Sequence, residues 1–74
     1  MSLADVPYNT PVRVASVRLQ GALSYRLLEM GFIRGAEVEV LRRAPLGDPL
    51  QVRVGDFDIS LRGTEARLID VDGH

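Results

Sequence analysis

Three of the four serines and the one histidine are the side chains to consider first for covalent chemistry. Ser16, Ser24 and Ser60 belong to the body of the chain, whereas His74 is its last residue. A serine nucleophile needs a base within hydrogen-bond reach, and the body of the chain offers no histidine for that role. Cysteine is absent, so a thiolate nucleophile and a disulfide are both excluded. We expect no catalytic residue and no enzymatic activity.

Paired carboxylates are the next candidates for chemistry. Glu37 and Glu39 are separated by one residue, as are Asp56 and Asp58. Residues two apart on a strand share a face, and apolar residues alternate with these acids. Solvated strand faces therefore explain both pairs better than acid–base catalysis. The segment 31–35 lacks the Lys-Ser/Thr of a phosphate-binding loop, and we expect no cofactor.

A weak metal-binding pattern lies at the end of the chain. Asp70, Asp72 and His74 alternate, so an extended backbone would place all three side chains on one side. Oxygen and imidazole ligands suit a divalent first-row metal, with a fourth ligand supplied by a neighbouring chain. The alternative is a frayed acidic tail without fixed geometry. We favour the tail and predict no resident metal.

One short helix is predicted from about Ala22 to Met30. Its apolar residues recur at helical spacing and form one stripe: Leu23, Leu27, Leu28 and Met30. Gly31 follows directly and suits a left-handed cap, where a Cβ would be strained. Phe32 can then pack back on Leu27. Gly35 closes the next turn, so both glycines are predicted to be structural.

Strand patterns surround this helix. An early strand begins after Pro11, alternating strands are centred on Val38, Val52 and Ile59, a short helical turn covers 63–66, and a closing strand covers 68–71. These elements predict a mainly β fold, a small and partly open SH3-like barrel of about five antiparallel strands with the helix after the first strand. The residues expected to be largely buried are Leu23, Leu27, Val38, Val40, Val52, Val54, Ile59 and Leu61.

Length and charge limit the classes of function. Seventy-four residues make a single domain, 1–74, with net charge −1. All nine basic residues are arginine, six of them within 13–43. A nucleic-acid-binding barrel would show a clear basic excess, so we expect no nucleic-acid partner. No signal peptide and no apolar run of about 20 residues is visible, which predicts a cytoplasmic protein without direct membrane insertion.

The outer side of the predicted helix offers candidate partner contacts. Tyr25 and Arg26 are side chains enriched at binding hot spots, and Glu29 lies close to them on the helix. The alternative for Arg26 is a solvated side chain paired with Glu29, three residues on. Both interpretations stay open.

The loop between two strands offers a second candidate surface. Leu46 and Asp48 lie at its tip, and Ala44, Pro45, Leu46 and Leu50 together would form an apolar patch. Part of that patch could instead fold back on the barrel. We predict that Leu46 and Asp48 contact the same partner as the helix.

Several segments in the same order resemble the FeoA family, the small ferrous iron transport protein A. They are the opening turn 3–6, the helix and glycine of 26–32 (RLLEMGF), the turn and strand of 35–40 (GAEVEV), the loop 44–49 (APLGDP) and the closing pieces 59–62, 65–66 and 68–69. Together these segments run through most of the chain.

The resemblance implies an SH3-like barrel that assists ferrous iron uptake. It further implies a protein–protein contact with the cytoplasmic side of FeoB, the membrane-embedded ferrous iron transporter. The same barrel forms the C-terminal domain of iron-dependent repressors, which also carry a winged-helix DNA-binding domain. The alternatives that remain are a stand-alone domain related to those repressors and a weak divalent-metal-binding module. Self-association into a homo-oligomer also stays open.

Overall fold

The computed structural model describes residues 1–73 and forms one five-stranded antiparallel sheet with two helices. The elements are β1 (Val12–Val17), α1 (Ala22–Met30), β2 (Glu37–Arg43), β3 (Leu50–Val54), β4 (Phe57–Leu61), α2 (Gly63–Ala66) and β5 (Ile69–Asp72). A 3₁₀ turn, Leu3–Asp5, precedes β1. The predicted mainly β, SH3-like architecture with one short helix after the first strand is confirmed. Neither helix in this part of the chain is long or apolar enough to cross a membrane.

The strand order is β4-β3-β2-β1-β5. All pairs are antiparallel, and β3 and β4 form a hairpin in which Val54 pairs with Phe57 across the turn at Gly55 and Asp56. The strands β4 and β5 therefore lie at the two edges of the sheet. The outer edge of β5 is covered, because Ser2 bridges Asp70 and the N–H of Val71 donates to the carbonyl oxygen of Met1 at 2.8 Å.

The core is wholly apolar in the described residues, and it collects side chains from every element. Its members are Leu3, Val6, Val12, Val14, Leu27, Phe32, Val38, Val40, Leu50, Val52, Val54, Leu61, Ala66, Ile69 and Val71. Six of the eight residues predicted to be buried are among them. Leu23 and Ile59 are only half-buried, because they line a groove at the surface that is described below.

Gly31 ends α1 in the left-handed conformation, with φ of 108°. Its N–H donates to the carbonyl oxygen of Leu28 at 3.1 Å, and the N–H of Phe32 donates to that of Leu27 at 3.0 Å. This pair of bonds defines the Schellman motif, in which an apolar contact accompanies the turn. Leu27 and Phe32 are both buried. The motif fixes the direction in which the chain leaves the helix towards β2.

Gly35 is held between β1 and the start of β2. It has φ of 89°, its N–H donates to the carbonyl oxygen of Val14 at 2.7 Å, and its own carbonyl accepts from the Arg13 guanidinium at 2.9 Å. The left-handed conformation there favours glycine.

Two expectations about the elements are wrong in detail. Leu28 does not widen the buried stripe of α1, because its side chain is 55% exposed; it follows Leu27 by one position, which turns it about 100° away from the core. The closing strand is Ile69–Asp72 rather than 68–71, since Leu68 still closes the turn after α2 by donating its N–H to the carbonyl of Glu65.

Candidate partner-binding groove

A groove of about 440 Å³ runs between α1 and β4. Its lining residues are Leu23, Arg26, Leu27, Met30, Asp58, Ile59, Ser60, Leu61 and Glu65. The α1 residues recur at spacings of three and four, so they share one face of the helix. Its floor consists of the apolar residues Leu23, Leu27, Met30, Ile59 and Leu61, and its rim carries the charged residues Arg26, Asp58 and Glu65.

The groove follows the edge of β4 rather than one face of the sheet. Successive strand residues point to opposite faces, yet the four consecutive residues from Asp58 to Leu61 all border the groove. Since β4 is the last strand in the sheet order, the groove opens along its unpaired side.

The register of the β3–β4 hairpin determines which backbone groups face this opening. A two-residue turn is closed by a hydrogen-bonded pair, here Val54 and Phe57. Bonded and non-bonded pairs alternate in an antiparallel ladder, so Ile59 and Leu61 direct their N–H and C=O groups towards β3. The corresponding groups of Asp58 and Ser60 point outward along the groove.

The acids on the rim are already engaged. Asp58 accepts a hydrogen bond from Nε of Arg53 at 2.8 Å, and this bond lowers the pKa of the Asp58 carboxyl while it raises the pKa of the Arg53 guanidinium. The Oε1 atom of Glu65 accepts from the backbone N–H of Arg62 at 2.7 Å and so caps the first turn of α2. Both carboxylates are therefore committed to neighbouring groups of the same chain.

Arg26 is the exception among these charges. The ion pairs within residues 1–73 are Arg18–Asp70 and Arg53–Asp58, so Arg26 and Glu29 form no ion pair there, although the Arg26 side chain is exposed. The guanidinium of Arg26 is left as the cation on the groove rim without a carboxylate partner in the described chain.

The structure separates the residues that we predicted to contact a partner. Arg26 lines the groove. Tyr25 is 69% exposed, and Glu29 is exposed one turn further along α1, on the part of the helix surface that does not line the groove. The three helix residues thus present two adjacent surfaces rather than one.

The loop between β2 and β3 is also divided between two roles. Leu46 is 97% exposed at its tip. The Oδ2 atom of Asp48 accepts a hydrogen bond from the N–H of Gly63 at 3.0 Å, so this side chain ties the loop to the start of α2. Leu50 is fully buried in the core, so part of the apolar patch folds back on the barrel, which is one of the two alternatives that the sequence left open.

A second hollow lies beside this loop. It has a volume of about 250 Å³ and is lined by Arg42, Arg43, Ala44, Pro45, Pro49, Gln51 and Ser60. Ser60 lines both hollows, so the loop surface and the groove meet at the far end of β4.

The two acidic residues of the weak metal-binding pattern at the end of the chain have different surroundings. The Asp70 carboxylate accepts hydrogen bonds from Nε of Arg18 at 2.9 Å and from Oγ of Ser16 at 2.7 Å, and these bonds lower its pKa. Its oxygen atoms thus stabilise the β1–β5 pairing. Asp72 is exposed, and His74 lies outside the described residues. No cluster of three metal-ligating side chains occurs within residues 1–73.

Sequence reasoning weighed Ser60 as a nucleophile and Asp58 as a member of a carboxylate pair, and it did not identify these residues or Glu65 as the lining of a groove. Alternation predicted the strand that carries Asp58 and Ser60, and the spacing of the helix residues predicted the face that carries Arg26. Neither signal says that β4 lies at an edge or that α1 lies beside it. That information resides in the strand order, which depends on contacts between distant segments.

The fold defines a class of protein: a small SH3-like domain, here with a groove between α1 and the edge strand β4. The comparisons with known proteins agree with this class. Residues 1–73 match the FeoA domain family. The chain therefore belongs to the FeoA family, whose members are related to ferrous iron transport.

Three relatives place the chain within this family. It is 35% identical over 72 residues to a fusion of Fe(2+) transport protein A with the Fe(2+) transporter FeoB from Porphyromonas gingivalis; this match covers 97% of the chain and 8% of the fusion protein. The solution structure of iron(II) transport protein A from Clostridium thermocellum superposes with a TM-score of 0.88 at 38% identity, over 99% of this chain and 45% of that one.

The third relative is the FeoA protein of Stenotrophomonas maltophilia. Its crystal structure superposes with a TM-score of 0.84 at 38% identity and covers 97% of this chain and 89% of that one. That protein was crystallised with zinc and is described as a prokaryotic SH3 domain protein, which agrees with the SH3-like fold of the present chain.

Proposed function

We propose that this protein is an adaptor of ferrous iron uptake that binds the cytoplasmic side of a FeoB-type transporter. The observation that carries the proposal is the groove between α1 and β4, where an apolar floor, an open strand edge and an unpaired arginine lie together. Such a combination suits a protein partner, because apolar area supplies affinity and a charged rim supplies orientation.

The fusion relative supports the choice of partner. In the Porphyromonas gingivalis protein, a segment similar to this chain is covalently joined to the transporter FeoB. Covalent joining keeps two modules at a high effective concentration, which is useful when the separate modules must meet to function. The present chain would make the corresponding contact as a separate polypeptide.

The adaptor role is tested by a charge reversal in the groove. We expect Arg26→Glu to reduce co-purification of the transporter from detergent-solubilised cells and to reduce ferrous iron uptake in cells that depend on this protein. A reversed charge in a packed interface costs several kcal/mol. Because Arg26 makes no ion pair in the described chain, the free energy of unfolding of the Arg26→Glu variant should differ from that of the wild type by no more than about 0.5 kcal/mol.

Arg34→Glu is the matched control, because Arg34 is exposed and does not line the groove. It reverses the same charge, and uptake should remain normal. Leu46→Asp then tests the loop surface in the same two assays. Full uptake and full co-purification by both Arg26→Glu and Leu46→Asp would place the working surface elsewhere on the barrel.

A further inference from the structure

We propose that the groove binds one extended segment of the transporter polypeptide, which pairs with β4 as a sixth strand and inserts an apolar side chain between α1 and β4. This inference rests on the proposed function and specifies how the contact is made. In this mode of recognition, backbone hydrogen bonds supply affinity and pockets for alternate side chains supply specificity.

The backbone of β4 is prepared for such pairing. The outward N–H and C=O groups of Asp58 and Ser60 are two residues apart, which is the repeat at which an added antiparallel strand forms its bonded pairs. Both residues are exposed. The opposite edge of the sheet cannot serve in the same way, because Met1 and Ser2 already pair with β5.

The side-chain requirement follows from the groove floor. Ile59 lies between the two outward-facing residues and is half-buried against the core, and Leu23 and Met30 on α1 are half-buried on the other side of the groove. An added strand would place every second side chain into this space. An apolar side chain there would cover surface that is exposed in the free protein.

The charge requirement follows from the rim. Asp58 and Glu65 are each bound by groups of this chain, whereas Arg26 has no carboxylate partner in the described residues. The occupant that complements the rim therefore carries an acidic residue close to its apolar anchor, with the carboxylate directed at the Arg26 guanidinium.

A single strand fits this position better than a second copy of the protein. Paired strands lie about 4.8 Å apart, so one extended segment occupies the opening between β4 and α1. A second copy that offered its own β4 edge would bring its own α1 into the same opening. The occupant is therefore an extended segment of the partner, and the fusion relative indicates the transporter as its source.

Hydrogen exchange of the unmodified chain bound to the detergent-solubilised transporter tests the proposal. The register directs the amides of Phe57, Ile59 and Leu61 towards β3, so we expect them to be protected in the free protein. We expect the amides of Asp58 and Ser60 to exchange rapidly in the free protein and at least about tenfold more slowly in the complex. The chain is labelled with ¹⁵N, its amides are exchanged while it is bound to the transporter, and the reaction is then quenched. This procedure gives the exchange rate of each amide separately.

The outcomes distinguish the two proposals. A complex that forms without added protection at Asp58 and Ser60 would refute strand addition and leave the adaptor role intact. Failure to form any complex would refute the adaptor role itself. Equal protection of both amides in the concentrated protein alone would identify a second copy as the occupant and would also overturn the inference.

A pair of substitutions gives an independent test. Ser60→Pro removes the outward N–H at a position where an edge strand tolerates proline, whereas Ser60→Ala removes the hydroxyl and keeps the N–H. We expect Ser60→Pro to weaken transporter binding at least about tenfold, equivalent to one lost backbone bond near a desolvated interface, and Ser60→Ala to bind normally. A folded Ser60→Pro variant with unchanged binding would refute strand addition. If that variant does not fold, the exchange experiment on the unmodified chain decides.

Discussion

Gly31 illustrates how one residue determines a turn. Its φ of 108° is strained for any L-residue, although a Cβ there would meet only Cγ2 of Val54 at an ordinary 3.9 Å. We therefore expect Gly31→Ala to lower the free energy of unfolding by about 1–2 kcal/mol through backbone strain rather than through a clash. Urea denaturation measures the change.

Gly31→Asn is the matched control, because asparagine tolerates the left-handed conformation better than alanine does. It adds a larger side chain and should nevertheless destabilise the protein less than Gly31→Ala. The reverse order of the two variants would show that space, and not backbone strain, limits this position.

Asp70 determines part of the response to acid. The Arg18 and Ser16 hydrogen bonds hold its pKa below the ordinary value of 3.8. The carboxylate therefore contributes stability that is present above the unfolded-state pKa and is lost as pH falls through the lower folded-state pKa. We expect Asp70→Asn to be less stable than the wild type at pH 7, with a difference that shrinks as the pH falls below about 3.8.

Asp72→Asn provides the comparison, since Asp72 lies two residues away on the same strand and is exposed. The denaturation midpoint of Asp72→Asn should equal that of the wild type at pH 7 and also at a pH below about 3.8. A pH-independent loss of stability in Asp70→Asn would show that packing of the side chain, rather than its charge, accounts for the effect.

The role of Gly31 could be predicted from the sequence, whereas the hydrogen-bond partners of Asp70 could not. Gly31 could be recognised because a cap is local: the helix stripe ends and glycine follows. The partners of Asp70 could not, because Arg18 lies 52 positions away along the chain. Alternation instead grouped Asp70 with Asp72, its neighbour on the same strand face.

The β2–β3 loop and α2 are two elements joined by the hydrogen bond between Asp48 and Gly63. A Cβ added to Gly63 would lie 2.9 Å from Oδ2 of Asp48, so the missing side chain allows the hydrogen bond at 3.0 Å. We expect Gly63→Ala and Asp48→Ala each to lower the free energy of unfolding by about 1 kcal/mol. Asp56→Ala, in the other tight turn, should stay within about 0.5 kcal/mol of the wild type.

The double variant Asp48→Ala/Gly63→Ala separates the loss of the hydrogen bond from the steric effect of the added methyl group. Once Asp48 is alanine, the added methyl at position 63 no longer meets a carboxylate, so Gly63→Ala should cost less in that background. Strict additivity in urea denaturation would contradict a direct contact between the two residues.

The type and approximate bounds of each element were predictable from its hydrophobic period. The place of each strand within the sheet was not. The bounds of α1 follow from its apolar stripe and from Gly31, and β2 to β4 follow from alternation. Leu28 was misjudged because the period identifies a face without its width, and a short helix beside a surface groove buries a narrow face. The edge position of β4, on which the candidate site depends, is a property of the whole sheet.

The whole molecule carries almost no net charge. At −1 overall, it lacks the excess of basic groups that releases counterions from a nucleic acid. We expect no binding to single- or double-stranded oligonucleotides at physiological salt, measured by fluorescence anisotropy. Binding that weakens linearly with the logarithm of salt concentration would indicate a phosphate-contacting surface and argue against the adaptor role.

The two edges of the sheet differ, and only one of them in the described residues can pair with another chain, so the molecule is monovalent for strand pairing. Because Met1 and Ser2 occupy the β5 side, β4 is the one edge within residues 1–73 at which strand pairing can extend the sheet. Once that position is filled, the part of the chain that the structure describes offers no second open edge from which growth could continue. The same edge that makes the protein able to join another chain therefore also limits the assembly, since chains with one free edge end a sheet instead of propagating a fibre.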